Sequence, residues 1–386
     1  MGNAVRRLRT SRRCSAKLRP RVPGGLPTFR YQYPRAKEIR RQYDSEVLSR
    51  HRWEPTAEPF SLQPVSLAGG SPGRRPRSSI WRSPSEHGNW CARDDYLQVT
   101  GNISRFDHAV IAVADLDSAV ETYRGLGFEV GMGGRHAGRG THNAIIRFGL
   151  DYVELIAIHD ADLGRAHGGN VNALISYLER TGGGPLGFAL AAPDLQAVAS
   201  AWRSRLTPVA GPVDMERVRP DGIRLRWRLL IPSGSAWRRP WPFLIQWETP
   251  DRERLERDAG GRHRNGANGV AGVTVVVRSV HDILPLYVRD LGLAVEAERV
   301  SEGSLAARGT RLRLGSFRID LLEPSGYGAA ADALERDGEG LFQIEIGVID
   351  IHSAAALVRV EPGEHSRIVI PSERACGAHL VLVARN

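Results

Sequence analysis

A carboxylate stands in a strand-like run just after a glycine-rich segment that carries two histidines. Residues 134–156 read GRHAGRGTHNAIIRFGLDYVELI, with His136 and His142 near the start and Glu154 near the end. Imidazole and carboxylate groups are the side chains that most often transfer protons or bind divalent metals. An ionised carboxylate among apolar neighbours costs several kcal/mol unless a cation, a proton or hydrogen-bond donors compensate it. We therefore expect the rest of the chain to supply a partner for Glu154.

The glycine-rich segment is predicted to be a substrate-binding loop, with an ordinary tight turn as the alternative. Glycines between Gly133 and Gly140 permit backbone conformations closed to other residues and allow a ligand to approach the main chain. His136, Thr141 and Asn143 add polar groups, and we expect Asn143 to face a cavity. The segment has no strand-to-helix context and no GKS or GKT ending, so a phosphate-binding loop is not indicated.

Two candidate residues lie on strands. Alternation places Glu154 on the same strand face as Tyr152 and Ile156, which must then be a polar, concave face if Glu154 binds a ligand. An ion pair with Arg147 on the preceding strand is the structural alternative. His108 begins the apolar strand FDHAVIAV, where a lone histidine is usually part of the core.

One supersecondary unit recurs four times along the chain. The first βαβββ unit is predicted by the runs FDHAVIAV, DLDSAVETYRGLG, FEVGM, THNAIIRFG and DYVELIAI. Similar runs begin near residues 186, 270 and 341. The polar, glycine-rich stretch PDRERLERDAGGRHRNGANG separates the second copy from the third. We predict an α+β protein with a first domain at 105–250, a linker at 251–268 and a second domain at 269–386.

The net charge of +10 comes from the N-terminal region. Residues 1–104 contain 20 Lys+Arg against 8 Asp+Glu, and they are rich in Pro, Ser and Gly, so we predict a disordered basic tail. Arginine so outnumbers lysine that base composition explains this charge as well as phosphate binding does. Binding of nucleic acid by the tail remains the least favoured of three functional classes.

The sequence says little about the cellular compartment of the protein or about disulfide bonds. The 3 cysteines have no paired spacing, which argues against a disulfide framework or a cysteine zinc site. No apolar run approaches the roughly 20 residues of a membrane span. We expect a cytoplasmic protein that does not bind membranes, although the acid-free start of the chain also fits an organelle transit peptide.

Paired βαβββ modules with His in a first strand and Glu in a last strand resemble the vicinal oxygen chelate superfamily, which includes glyoxalase I and extradiol dioxygenases. Three runs look like those of its glyoxalase-like group, namely FDHAVIAVADLDSAVETYRGLGFEV, GGRHAGRGTHNAIIRFGLDYVELIAI and RPDGIRLRWRLL. The resemblance implies two barrels, each built from a pair of modules, with a divalent metal on the concave sheet of a functional barrel.

The resemblance also implies metal ligands, residue by residue. His108 and Glu154 match the ligand positions of the first module, and imidazole with carboxylate suits Zn, Fe, Mn, Ni or Co. In the second module the matching positions are Gly187 and Gln246, so the ligand set is incomplete unless His136, His142 or another loop residue completes it. The third and fourth modules place Val273, Asp320, Gln343 and Val381 at these positions, which implies that the C-terminal domain is a structural or dimer-like partner of the first.

Two functions follow from the resemblance. The first is a metal-assisted lyase, isomerase or hydrolase that acts on a small oxygen-rich substrate, with Glu154 or His136 transferring the proton and Thr141, Asn143 and Trp247 binding substrate. Trp247, like Trp227, has core packing as its ordinary alternative. The second function is a binding or sequestering protein that keeps the cavity without competent chemistry. A small-molecule ligand is expected in both cases, in a two-barrel monomer or a homodimer.

Overall fold

The structure is a computed structural model that describes residues 103–205, 207–258 and 260–385. Except for Ile103 and Ser104, the predicted N-terminal tail lies outside the described residues. The rest is an α+β protein with two sheets, as predicted. None of the helices in these ranges is long and apolar enough to cross a membrane.

Modules 1 and 2 close into one barrel. Its strands follow the order β1-β4-β3-β2-β6-β7-β8-β5, so strands from the two modules meet at β1–β5 and at β2–β6. β1 runs parallel to β4 and antiparallel to β5. The strands are β1 Arg105–Val113, β2 Gly131–His136, β3 Thr141–Arg147, β4 Tyr152–Ile158, β5 Gly183–Ala191, β6 Val209–Val218, β7 Arg224–Pro232 and β8 Phe243–Trp247.

The barrel carries five helices, which are α1 Leu116–Gly125, α2 Ala161–His167, α3 Gly169–Thr181, α4 Leu195–Ser204 and α5 Asp251–Arg257. Asp115 and Asp194 cap α1 and α4 by accepting hydrogen bonds from backbone N–H groups, as expected of aspartate at a helix start. Each of these two helices buries one apolar face. The sequence did not predict α2 and α3, although α3 helps to form the cavity described below.

Modules 3 and 4 form an open sheet of seven strands, in the order β10-β11-β12-β9-β13-β15-β14. The second pair of modules stays open, and module 4 contributes three strands to this sheet. The strands are β9 Ala267–Val276, β10 Ala294–Glu302, β11 Ala307–Leu314, β12 Phe317–Pro324, β13 Gly340–Val348, β14 Arg367–Ile370 and β15 His379–Ala384. Its helices are α6 Val280–Pro285, a π-helical turn Leu286–Asp290, α7 Ala329–Asp337 and α8 Ile351–Val358.

The barrel and the open sheet share one hydrophobic core. Phe106 of β1 stacks on Phe317 of β12 with ring centroids 4.2 Å apart. Trp202 of α4 is buried and donates a hydrogen bond to the Asp290 carbonyl oxygen. The stretch predicted as a linker is ordered in part as α5, and its Asn265 is buried and donates to the Leu126 carbonyl oxygen. The predicted linker therefore packs against the barrel, and the two sheets are in contact on either side of the predicted domain boundary.

Candidate functional site

The interior of the barrel contains a cavity of about 260 Å³. One part of its wall is apolar and aromatic, with Tyr152, Leu174, Trp227, Ile231, Phe243 and Trp247 among its residues. The other part is polar, with His108, His136, Thr141, Asn143, Glu154 and Arg217 among its residues. A mostly apolar cavity with a few convergent polar groups is the usual form of a small-molecule site.

Glu154 lies at the centre of the polar wall. Alternation along β4 turns Tyr152, Glu154 and Ile156 toward the cavity, and Glu154 is 8% exposed. Its Oε1 accepts a hydrogen bond from Asn143 Nδ2 at 2.6 Å, and its Oε2 lies 3.6 Å from His108 Nε2. Arg147 donates instead to the Gly149 carbonyl oxygen and lies over the Tyr152 ring, so it is not the partner of this carboxylate.

His108 is oriented by a buried aspartate that the sequence analysis missed. The register of β1 against β5 shifts between Phe106 and His108, and Asp107 is the extra residue at this irregularity. Asp107 Oδ1 lies 2.8 Å from His108 Nδ1, and the same carboxylate accepts a hydrogen bond from Trp247 Nε1. A charged residue inside the apolar run FDHAVIAV was the available signal.

Asp107 is ionised despite complete burial. Desolvation opposes its negative charge, but the hydrogen bond and charge of His108 and the charges of Arg105 and Arg254 hold the pKa of the Asp107 carboxyl well below its usual range. Since an ionised carboxylate only accepts hydrogen bonds, Nδ1 of His108 carries a proton and Nε2 points at Glu154. Histidine held by a carboxylate in this way has a fixed ring orientation.

His136 ends β2 and faces Glu154 from the other side. Its Nδ1 lies 2.9 Å from Thr141 Oγ1, and its Nε2 lies 3.9 Å from Glu154 Oε1. Burial lowers the pKa of His136 to about 4, against the opposing effect of the Glu154 charge, so the ring is neutral at pH 7. Because Nε2 faces a carboxylate, we assign the proton to Nε2 and the Thr141 hydroxyl as the donor to Nδ1.

Arg217 supplies a buried positive charge beside the Asn143–Glu154 pair. It comes from β6, is 5% exposed and donates from Nη1 to Asn143 Oδ1 at 2.6 Å. Burial lowers the pKa of this guanidinium, while the negative charge of Glu154 raises it. A side chain at Gly133 would collide with Asn143 Oδ1 and Arg217 Nη1, so this glycine is needed for the pair to form. The partner sought for Glu154 is therefore Arg217, acting through Asn143.

The glycine-rich segment is mostly strand. β2 ends at His136 and β3 begins at Thr141, so the loop itself spans only residues 137–140. The predicted strand FEVGM starts later than expected, at Gly131. His142 does not line the cavity, and its ring lies 5.5 Å from the ring of His159.

The second-module ligand positions do not face this site together. Gln246 lies on the face of β8 opposite to Ile245 and Trp247, where its Oε1 accepts from Arg228 Nη2 and its Nε2 donates to the Pro193 carbonyl oxygen. Gln246 therefore points away from His108 and Glu154, because adjacent strand residues point to opposite faces, and its role as a metal ligand stays a prediction.

Gly187 is covered by the segment 233–242, which we call the cavity loop. A Cβ atom at Gly187 would lie 2.8 Å from the Ala236 carbonyl oxygen and 3.4 Å from Trp237 Cε3. Trp237 therefore occupies the space that a ligand side chain at position 187 would need. Arg238 fixes this loop by donating to the backbone carbonyl oxygens of Pro185 and Gly338, and of Leu341 in the open sheet.

The donor set does not fit the divalent metal that the resemblance implies. Two of the four positions, His108 and Glu154, carry ligand side chains at the cavity, and the nearby positive charge of Arg217 disfavours a cation. Within residues 103–205, 207–258 and 260–385, no group of three or more His, Cys, Asp or Glu side chains could hold a metal ion.

The matching positions in the open sheet are structural. Val273 and Val381 are buried in apolar surroundings, and Asp320 accepts two hydrogen bonds from Arg311. Gln343 lies beside Glu345, whose carboxylate is paired with arginines of β12 and β14. These positions hold the sheet together through ion pairs and apolar packing.

Residues 106–291 match the family model described as "Glyoxalase-like domain". The chain contains a glyoxalase-like domain. Its resemblance to the vicinal oxygen chelate superfamily is thereby confirmed, and the matched residues include every polar residue of the cavity wall named above.

The chain has no match among curated proteins. A solved structure of a hypothetical protein from Staphylococcus aureus is 18% identical, covers 72% of this chain and 99% of that one, and has a TM-score of 0.54. This likeness shows the fold alone. A variant of 4-hydroxymandelate synthase from Streptomyces coelicolor is 16% identical over 74% of this chain and 94% of that one, with a TM-score of 0.49.

Proposed function

We propose that the barrel cavity binds a small, largely apolar molecule and that Glu154 transfers a proton on it, as in an isomerase or a lyase. The observation that carries this proposal is the placement of one buried carboxylate between two histidines at the polar end of an apolar cavity. General acid–base catalysis needs such a base within reach of the ligand and a second group that stabilises the charge formed.

The aromatic and aliphatic wall accounts for binding. Burial of apolar ligand surface against Trp227 and Phe243 contributes about 25 cal/mol per Å². The polar wall then fixes the orientation of the one oxygen-bearing end of the ligand. Because the described cavity lies within one barrel, this proposal requires no second copy of the chain.

The proton step can be written with this chain's own groups. Glu154 removes a proton from a carbon next to a carbonyl group, so the C–H bond breaks, an O–H bond forms on Glu154, and the electron pair moves to the carbonyl oxygen. Neutral His136 donates a hydrogen bond from Nε2 to that oxygen. Where a second double bond is conjugated with this enolate, return of the proton to its γ-carbon completes an isomerisation. Where the β-carbon carries a leaving group, the electron pair returns from the enolate oxygen and expels that group, which completes an elimination.

His108 and Asp107 have a supporting role in this scheme. His108 Nε2 lies 3.6 Å from Glu154 Oε2, so it limits where the carboxylate can move, and Asp107 holds the imidazole in place. No metal takes part in the proposed steps because the donor set described above does not fit one.

A binding or sequestering protein is the second candidate. The observation that favours it is Trp237, which fills the space above Gly187 where the resemblance would place a further chemical group. Both candidates use the same cavity, so ligand binding alone does not separate them.

Deuterium incorporation separates the two candidates. Small ketones, aldehydes and 2-oxo acids would be incubated with the protein in D₂O, and exchange at the carbon next to the carbonyl would be followed by NMR. We expect at least one compound to exchange faster with the wild type than with Glu154→Gln. Binding without any Glu154-dependent exchange would overturn the enzymatic proposal and leave the binding protein.

A further inference from the structure

Two arginines face the cavity without an ion pair to any described residue. Arg217 makes one hydrogen bond, from Nη1 to Asn143, and its buried Nε has no hydrogen-bond partner among the described residues. Arg139, in the loop between β2 and β3, contacts Met215 Sδ through Nη2. Guanidinium groups have five N–H donors, so both arginines retain donors for a ligand.

Arg238 shows what a satisfied guanidinium looks like in the same protein. Its side chain donates to the backbone carbonyl oxygens of four residues, Pro185, Asp337, Gly338 and Leu341. Arg217 is more deeply buried yet has one partner in place of four. A buried guanidinium that lacks partners carries a desolvation cost that a bound anion would offset.

The cavity wall also carries more positive than negative charge. Arg139 and Arg217 contribute two positive charges against one negative charge from Glu154. Asn143 lies between the Glu154 carboxylate and the Arg217 guanidinium and bonds to both. The carboxylate therefore does not contact the guanidinium directly, and it neutralises the Arg217 charge only in part. One ligand anion would balance the wall.

We propose that the ligand is a small monoanion, with an apolar body against the aromatic wall and a carboxylate or similar oxyanion bound by Arg217 and Arg139. This inference rests on the proposed function, because it names the substrate class of that cavity. Arg217 and Glu154 are separated by one amide group, so the proton that Glu154 removes would lie near the anionic end of the ligand.

Three probes of similar size but different charge test this inference by calorimetry at pH 7.5, namely phenylacetate, phenylacetamide and 2-phenylethylamine. We expect phenylacetate to bind about tenfold more tightly than the amide, a difference of about 1.4 kcal/mol, since charge-assisted hydrogen bonds are stronger than neutral ones. Arg217→Met and Arg139→Met should each reduce this preference. Arg135→Met, at an exposed arginine of β2, should leave it unchanged.

An amide that binds as tightly as phenylacetate would overturn the inference. So would a preference that persists in both Arg217→Met and Arg139→Met, with melting curves showing that at least Arg139→Met is folded. The proposed function fails separately: phenylacetate binding that depends on Arg217, without Glu154-dependent deuterium exchange, keeps the anion site and contradicts proton transfer. Glu154→Gln removes a negative charge and should not weaken phenylacetate binding.

Discussion

Glu154 and Arg217 are joined through a single side chain. Asn143 donates from Nδ2 to Glu154 Oε1 and accepts at Oδ1 from Arg217 Nη1, with both distances at 2.6 Å. This connection brings a strand of the first module and a strand of the second module to one polar wall. It also explains how a carboxylate is tolerated in YVELI, because a hydrogen-bond donor and a buried cation compensate its charge.

His136 should make stability depend on pH. Its folded-state pKa is lowered to about 4 from 6.5, so the unfolded chain takes up the proton first as the pH falls. The contribution of His136 is therefore complete above pH 6.5 and decreases toward pH 4, by about 3 kcal/mol in total at 1.36 kcal/mol per pKa unit. Urea unfolding at pH 7.5 and pH 5 should show this decrease.

The matching variants isolate the His136 contribution. His136→Gln should lose less stability between these two pH values than the wild type does. His281→Gln changes a fully exposed histidine and should behave like the wild type. An unchanged pH dependence in His136→Gln would contradict the assignment of a buried, neutral His136.

Asp107 should be important for stability as well as for the orientation of His108. Asp107→Asn leaves Arg105 and the buried Arg254 with Asp251 as the carboxylate that both still contact. We therefore expect a loss of about 3 kcal/mol, the lower end of the cost of removing one partner from a buried ion pair. Chemical denaturation at pH 7.5 measures the difference. The control is Asp117→Asn at an exposed position of α1, and a loss no larger than in this control would contradict the role of Asp107.

The site could be predicted from the sequence only in part. The structure brings His108, His136, Thr141, Asn143 and Glu154 to one cavity. These residues were predictable because local strand alternation and the resemblance of module 1 both single them out. Their chemical roles stay predictions. Trp247 also lines the cavity.

Gln246 could not face the cavity beside Trp247, because neighbouring strand residues alternate. The position matched by the resemblance did not take this constraint into account. Arg217 was missed because it is one arginine among many, on a strand that the sequence pattern did not predict. Its contact with Asn143 spans 74 residues, and no local periodicity reveals such a contact.

Arg238 should affect ligand binding without contacting the ligand. It ties the cavity loop to the open sheet, so Arg238→Met should loosen Trp237 over Gly187. We expect phenylacetate to bind severalfold more weakly to this variant in calorimetry. Arg239→Met, at the next residue of the loop, is the control, and equal affinities in the two variants would show that the Arg238 hydrogen bonds do not shape the cavity.

The protein should bind no stoichiometric divalent metal in this cavity. Protein purified without a histidine tag or a chelator should contain well below one equivalent of Zn, Fe, Mn, Ni or Co, because Gly187 and Gln246 do not complete a ligand set. Elemental analysis provides the measurement. One equivalent of metal that disappears in His108→Gln would show that the donor set does hold an ion.

Proton transfer by Glu154 is tested most directly by comparing deuterium exchange in Glu154→Gln and Glu345→Gln. Both variants remove a buried carboxylate, but Glu345 lies in the open sheet, paired with Arg318 and Arg367. We predict that Glu154→Gln folds and loses exchange by about 10²–10⁴-fold, the usual contribution of a general base. Glu345→Gln should lose stability and keep the exchange rate per folded molecule. Wild-type exchange in Glu154→Gln, together with a loss of stability like that of Glu345→Gln, would contradict the account and make Glu154 a structural charge.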